Sequence, residues 1–325
     1  MKRNRLILTT LILFLTACQT NNQLIQSNSP TTIPSLESTE KVIISPTFVE
    51  PTETSFANVP KVMTPLPELT VTVTNPAVGK NSTSIVVDHF SVENFGEIPD
   101  EVLAQASDLK LLFRHASVGE NIRYGLECMY GNFANRRPAS CSPFHDLKYD
   151  SSNWVFQYRG NNGWIEKVND FVSQTQSQNE NFDVFMFTLG YLDGFDGMTY
   201  PVISDEENFQ TRYIEPLEKL ETQYPQKIFV WWTMSLAQDG YENLTKFNQM
   251  LRDYAGQNDK ILMDLADIES HDLDGKPCVD SSGIPVICGI YTDEKQSGHL
   301  NETGRERVAK AFWYMMARIT GWQDS

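Results

Sequence analysis

Apolar residues along this chain are arranged in two ways. Near-continuous runs stand at residues 109–113 (Leu-Lys-Leu-Leu-Phe), 183–189 (Asp-Val-Phe-Met-Phe-Thr-Leu), 227–233 (Lys-Ile-Phe-Val-Trp-Trp-Thr) and 260–265 (Lys-Ile-Leu-Met-Asp-Leu). Short runs without polar alternation predict strands buried on both faces of a sheet. Between and around them, residues 119–129, 164–176, 205–223, 241–254 and 302–320 read as helices. Strands alternating with helices predict an α/β domain with a parallel sheet covered on both faces. In such sheets functional groups gather in loops at the carboxyl ends of the strands, where Ser117, Gly190 and Asp267 fall.

The N-terminus follows a different pattern. Lys2, Arg3 and Arg5 precede an apolar run, residues 6–15, that only Thr9 and Thr10 interrupt, and then Leu15-Thr16-Ala17-Cys18. Basic, apolar and small-residue regions in that order predict a secretory signal too short to span a membrane. The tetrad resembles the lipobox at which bacteria attach a diacylglyceryl group to cysteine. Residues 1–18 are therefore expected to be a lipoprotein signal with its lipobox, leaving the chain on a membrane by acyl chains at Cys18. Residues 19–84 are rich in Thr, Ser, Pro and Asn and keep no periodicity. Such a segment cannot bury enough apolar surface to offset its ordering entropy, and a disordered tether is expected. Residues 85–325 are long enough for one core and are expected to form a single domain.

Charge narrows the partners. The chain carries 26 Lys+Arg against 42 Asp+Glu, a net charge of −16, which becomes −19 once the three basic residues of the signal are removed. That balance argues against nucleic acid or anionic lipid as a ligand and fits a domain in the cell envelope outside the cytoplasm. Cys128, Cys141, Cys278 and Cys288 are an even set in an exported chain, and the sequence-local pairing, Cys128 with Cys141 and Cys278 with Cys288, is expected. Neither pair has the spacing of about two to four residues that zinc sites favour, so no metal is expected there.

Two blocks carry chemistry: His115-Ala116-Ser117-Val118-Gly119-Glu120-Asn121 after the first long run, and Ser297-Gly298-His299-Leu300-Asn301 before the last helix. Together they resemble a divergent branch of the SGNH (GDSL-like) hydrolases. The resemblance implies a three-layer α/β/α sandwich with a mostly parallel, flavodoxin-like five-stranded sheet, no cofactor, and hydrolysis of an ester on an acylated carbohydrate or lipid. Ser117 would be the nucleophile and His299 the general base, since a serine hydroxyl attacks only when a neighbouring base takes its proton. Capping of the following helix is the structural alternative for Ser117.

Other family positions are altered. An aspartate is expected three residues before the histidine, where this chain has Gln296; Asp293 lies further upstream, and His115 is a third group near enough to orient the pair. Oxyanion donors are expected from Gly160, Asn161 or Gly163, while Gly190-Tyr191-Leu192-Asp193 has leucine in place of the asparagine that would donate. These departures make a catalytically inactive, glycan-binding surface lipoprotein the alternative to an esterase. A nucleotide-binding domain is disfavoured, because the loop after the first strand holds one glycine, Gly119, and no phosphate-cradling run.

Overall fold

The computed structural model describes residues 84–131, 141–146, 151–160, 162–195, 197 and 200–324. The signal, the lipidation site Cys18, nearly all of the tether and Asn161 lie outside the described residues.

Six described strands form one sheet in the order β1-β6-β5-β4-β2-β3. They are β1 (Val86–Val87), β2 (Leu111–His115), β3 (Trp154–Tyr158), β4 (Val184–Phe187), β5 (Ile228–Trp232) and β6 (Ile261–Met263). Every neighbouring pair is parallel. Four of these strands, β2, β4, β5 and β6, fall on the predicted apolar runs; β3 and β1 do not, and the count is six where five were expected. Two residues, one of them exposed, give β1 too short an apolar run to register as a strand; it forms because β6 offers a free edge, with Val86 beside Leu262 and Val87 beside Met263.

The central strands are apolar because nothing around them is wet. All five residues of β2 and all four of β4 are buried. Helices cover both faces: α1 (His89–Glu93), α2 (Asp100–Asp108), α3 (Ser117–Tyr130), α8 (Leu265–Ser270) and α9 (Glu302–Ile319) pack together on one, and α4 (Trp164–Gln178), α6 (Glu215–Gln223) and α7 (Glu242–Gln257) lie on the other. A short α5 (Glu206–Asn208) runs through a π turn at Phe209–Ile214 into α6, so the predicted single helix is locally widened. Helix α9 lies deep against the sheet: Phe312 and Trp313 contact no solvent and pack against Phe113, Trp154 and Trp232. No described helix is long and apolar enough to cross a membrane.

From β2 the chain goes to β3 on one side, and then to β4 on the other. The strand order reverses between β2 and β4, so their carboxyl ends leave a crevice into which loops from both strands open. Disulfides Cys128–Cys141 and Cys278–Cys288 join the expected partners, with Cα atoms 5.5 and 5.3 Å apart. The first ties the end of α3 to the segment beyond it, and the second closes the loop between α8 and α9.

Close approach of α3 and α9 depends on Gly125. A Cβ there would lie 2.3 Å from the Arg305 carbonyl oxygen. Glycine lowers helix stability by about 1 kcal/mol relative to alanine, so its presence in mid-helix serves the crossing and not the helix. Gly125→Ala is expected to lower stability by about 1–3 kcal/mol despite its better propensity, read as a fall in the thermal midpoint.

Candidate active site

The crevice is built from β2 outward. His115, the last residue of β2, is buried and packs edge-on to Phe156 and Tyr158. Its Nδ1 lies 2.8 Å from the Ala116 carbonyl. Burial lowers the pKa of this imidazole, so it is a neutral support packed below the serine loop. Gly119 permits that packing: a Cβ would lie 2.2 Å from the His115 Cβ.

Ala116, not Ser117, is the N-cap of α3, and Ser117 is the first helical residue, with an exposed side chain. The capping alternative is thereby corrected: the hydroxyl makes no hydrogen bond to a described residue and stands open to the crevice. Amides of a first helical turn have no carbonyl partner within the helix and carry its positive end. The Ser117 hydroxyl therefore sits beside N–H groups suited to a developing oxyanion.

The histidine arrives from the opposite direction. After Cys288 the chain folds back at Ser297-Gly298, and His299 precedes α9. Gly298 is required by contact, because a Cβ would lie 1.9 Å from the Leu236 carbonyl oxygen. The carboxylate at the imidazole is Glu294. Its two oxygens lie 2.8 and 3.0 Å from His299 Nδ1, and it accepts the His299 backbone N–H at 2.9 Å and the Ser297 hydroxyl. Burial opposes its ionisation, but the bonds from Ser297 and His299 outweigh that and hold the carboxyl below the usual glutamate range.

Neither orienting acid or amide expected from the sequence takes that place. Asp293 accepts from the Asn301 side chain at 3.1 Å, and Gln296 is exposed. The tight turn brings the fifth residue before the histidine to the ring, not the third. A glutamate followed three residues later by a serine-glycine pair is the signal that linear spacing to the histidine overlooked.

Two contacts bring the histidine loop to the serine helix. Asn121, one turn beyond Ser117, accepts the Leu300 N–H at 2.9 Å in a buried bond. Tyr191 stands edge-on to the His299 ring, centroids 6.0 Å apart, and lines the same cavity as Ser117. That cavity, of about 30 Å³, is bounded by 116–119 after β2 and 188–193 after β4, with Arg159 and Lys167 at its base. Burial raises the Tyr191 pKa and keeps its hydroxyl protonated.

Arg159 and Lys167 were not anticipated. Lys167 falls on the inward face of α4 beside buried Trp164, Val168 and Phe171, a helical spacing that marks it as buried. Its ammonium lies 2.5 Å from Asp193, which also receives the Gly190 N–H at 3.0 Å and faces Arg159 at 3.8 Å. Burial lowers the pKa of Lys167, with Asp193 opposing. Two buried cations on one carboxylate fix the 190–193 turn from within. Leu192, the residue in place of a donating asparagine, also lines the cavity and is 56% exposed. Of the expected oxyanion glycines, Gly160 lies two residues past β3 with a positive φ of 80° and Gly163 is the N-cap of α4; neither lines the cavity.

Under the histidine loop lies Glu269, wholly buried. One oxygen accepts the Leu236 N–H at 2.6 Å, and the other has no partner. Burial raises the pKa of this carboxyl well above the ordinary glutamate range.

No family model matches the chain, and no curated protein matches it. Among solved structures, the chain is similar to a protein described as lipolytic, of the G-D-S-L family, from Desulfitobacterium hafniense (11% identity, 64% of this chain, 99% of that one, TM-score 0.38). It is also similar to an acetyl xylan esterase (17% identity, 63% and 98%, TM-score 0.39) and to a GDSL-like lipase from Bacteroides thetaiotaomicron (10% identity, 71% and 97%, TM-score 0.38). These likenesses are distant, and it is the geometry of the crevice that bears on function.

Asp193→Asn would leave two buried cations without their counter-charge. It is expected to lower unfolding free energy by about 3–5 kcal/mol in denaturant titration. Glu269 gives a pH signature of the opposite kind to a surface carboxylate. Its folded pKa exceeds the unfolded value of about 4.3, so its contribution is complete below that pH and is lost as pH rises toward the folded value. The thermal midpoint of Glu269→Gln should gain on the wild type between pH 4 and pH 8, and equal slopes would exclude a buried titration.

Proposed function

We propose that the chain is an envelope lipoprotein, held at Cys18, whose domain hydrolyses a short-chain ester on an acylated carbohydrate or lipid. The observation that carries this reading is the clasp of Glu294 on His299 Nδ1, on a loop joined by the Leu300–Asn121 bond to the helix that an exposed Ser117 opens. With Nδ1–H held by the carboxylate, Nε2 is the nitrogen left to act as a base.

In this mechanism Nε2 takes the Ser117 proton as Oγ attacks the acyl carbon. The carbonyl π electrons move onto oxygen, which the Ser117 amide and the positive end of α3 stabilise. The protonated imidazole, balanced by Glu294, returns the proton to the leaving alcohol. Water then enters by the same route and releases the acid. His299 and Ser117 share no hydrogen bond in the free chain; substrate filling the cavity would bring the two groups within reach.

A cavity of about 30 Å³ favours a small acyl group. Leu192 supports the alternative of a binding module, since a missing oxyanion donor lowers rates by about 10²–10³ in comparable sites.

Hydrolysis of p-nitrophenyl acetate by the purified chain tests both. Ser117→Ala and His299→Ala are each expected to abolish turnover with the fold retained, and turnover should fall steeply from acetyl to longer acyl esters. Glu294→Gln should lower kcat by about 10²-fold or more, the loss expected when the imidazolium has no counter-charge. Glycan binding that survives Ser117→Ala, with no turnover by the wild type, would favour the binding module.

A further inference from the structure

A second cluster stands on the same edge of the sheet, where β1 and β6 end. His89 opens α1, Asp267 lies in α8 and His271 follows it. His89 Nδ1 lies 2.5 Å from Asp267 Oδ2, which also accepts the His89 backbone N–H at 2.9 Å. His271 Nδ1 lies 3.3 Å from Asp267 Oδ1 and 2.9 Å from the Asp267 carbonyl oxygen. The two imidazoles stack, with centroids 3.8 Å apart and planes 13° from parallel. One donor atom from each of the three side chains lies within 4.8 Å of the other two.

We propose that His89, Asp267 and His271 bind a divalent first-row transition ion of the zinc class. Two imidazoles and one carboxylate suit Zn²⁺, Ni²⁺ or Cu²⁺ better than Mg²⁺ or Ca²⁺, which take oxygen sets. Zinc bonds of about 2.0–2.1 Å require donors roughly 3.3 Å apart and imidazole planes that both contain the ion, so the ion enters with a retreat of the carboxylate and a rotation of one imidazole out of the present stack. It displaces the ring protons now shared with Asp267, which pass to solvent.

The neighbouring acid is spoken for. Asp264, three residues earlier, is held by Arg252 at 2.6 and 2.9 Å and caps α8. Asp267 faces the two imidazoles with about a fifth of its side chain exposed, as is His271, so an ion has access from solvent. One outer contact suits a ligating set: the His89 amide steadies the carboxylate. The ion would clamp the first helix of the domain, five residues past the start of the described chain, to α8. This assignment is independent of the esterase reading, because the cluster shares no residue with the crevice.

The test uses the purified full chain, stripped with chelator and with free thiol alkylated. After equilibration with Zn²⁺ and desalting, it should retain one ion per molecule, and its thermal midpoint should rise by several degrees. Loaded with Cu²⁺, it should show splitting from two imidazole nitrogens in its paramagnetic resonance spectrum. His271→Gln, at a partly exposed position where folding is expected to survive, should weaken retention at least tenfold and remove one nitrogen from the spectrum. Asp267→Asn should weaken retention as well, while Ser117→Ala should leave it unchanged. Failure of the wild type to retain Zn²⁺, or retention undiminished in both His271→Gln and Asp267→Asn, overturns the assignment.

Discussion

A buried hydrogen bond, Leu300 N–H to Asn121 Oδ1, ties the histidine loop to the serine helix. Ser117 and Asn121 share the first turns of α3, and His299 is the residue before Leu300. The bond therefore ties the segment that carries His299 to the helix that Ser117 opens. Around it the fit is tight: His115 beneath Gly119, and Leu236 against Gly298, are approaches that admit no side chain at either glycine. Interiors packed at crystal density transmit displacement, so an added methyl at Gly119 or Gly298 would move the site as a whole.

Electrostatics divides the crevice into two supports of different kind. On the β4 side, Lys167 and Arg159 are neutralised by Asp193, and the turn carrying Tyr191 and Leu192 is held by charge. On the α9 side, burial raises the pKa of Glu269 below the histidine loop, while hydrogen bonds lower that of Glu294 at the surface of that loop. The two glutamates shift in opposite senses because one has a single backbone donor in a dry interior and the other has three donors beside solvent.

Much of the fold was legible along the chain. The apolar runs of β2, β4, β5 and β6 and the periodicity of α3, α4, α7 and α9 are local properties, since a strand buried on both faces is mainly apolar. Elements that draw stability from neighbours were not legible: β1 exists through pairing with β6, and α8 is a single capped turn behind a strand. In the crevice, Ser117 and His299 stood out by motif and by position at strand and helix ends. Glu294, Arg159 and Lys167 did not, because their roles arise from a turn and from a crossover between strands.

By itself the sequence determined the α/β class, the order of the principal elements and the two local disulfides. Each follows from composition or spacing within a short stretch of chain. Tertiary structure alone decided which carboxylate meets the histidine, which cations sit under the cavity, and that His89 lies on Asp267 from 178 residues away. Those partners meet through the parallel order of the strands, which places residues distant in the chain on one edge of the sheet, and no local pattern encodes such a meeting.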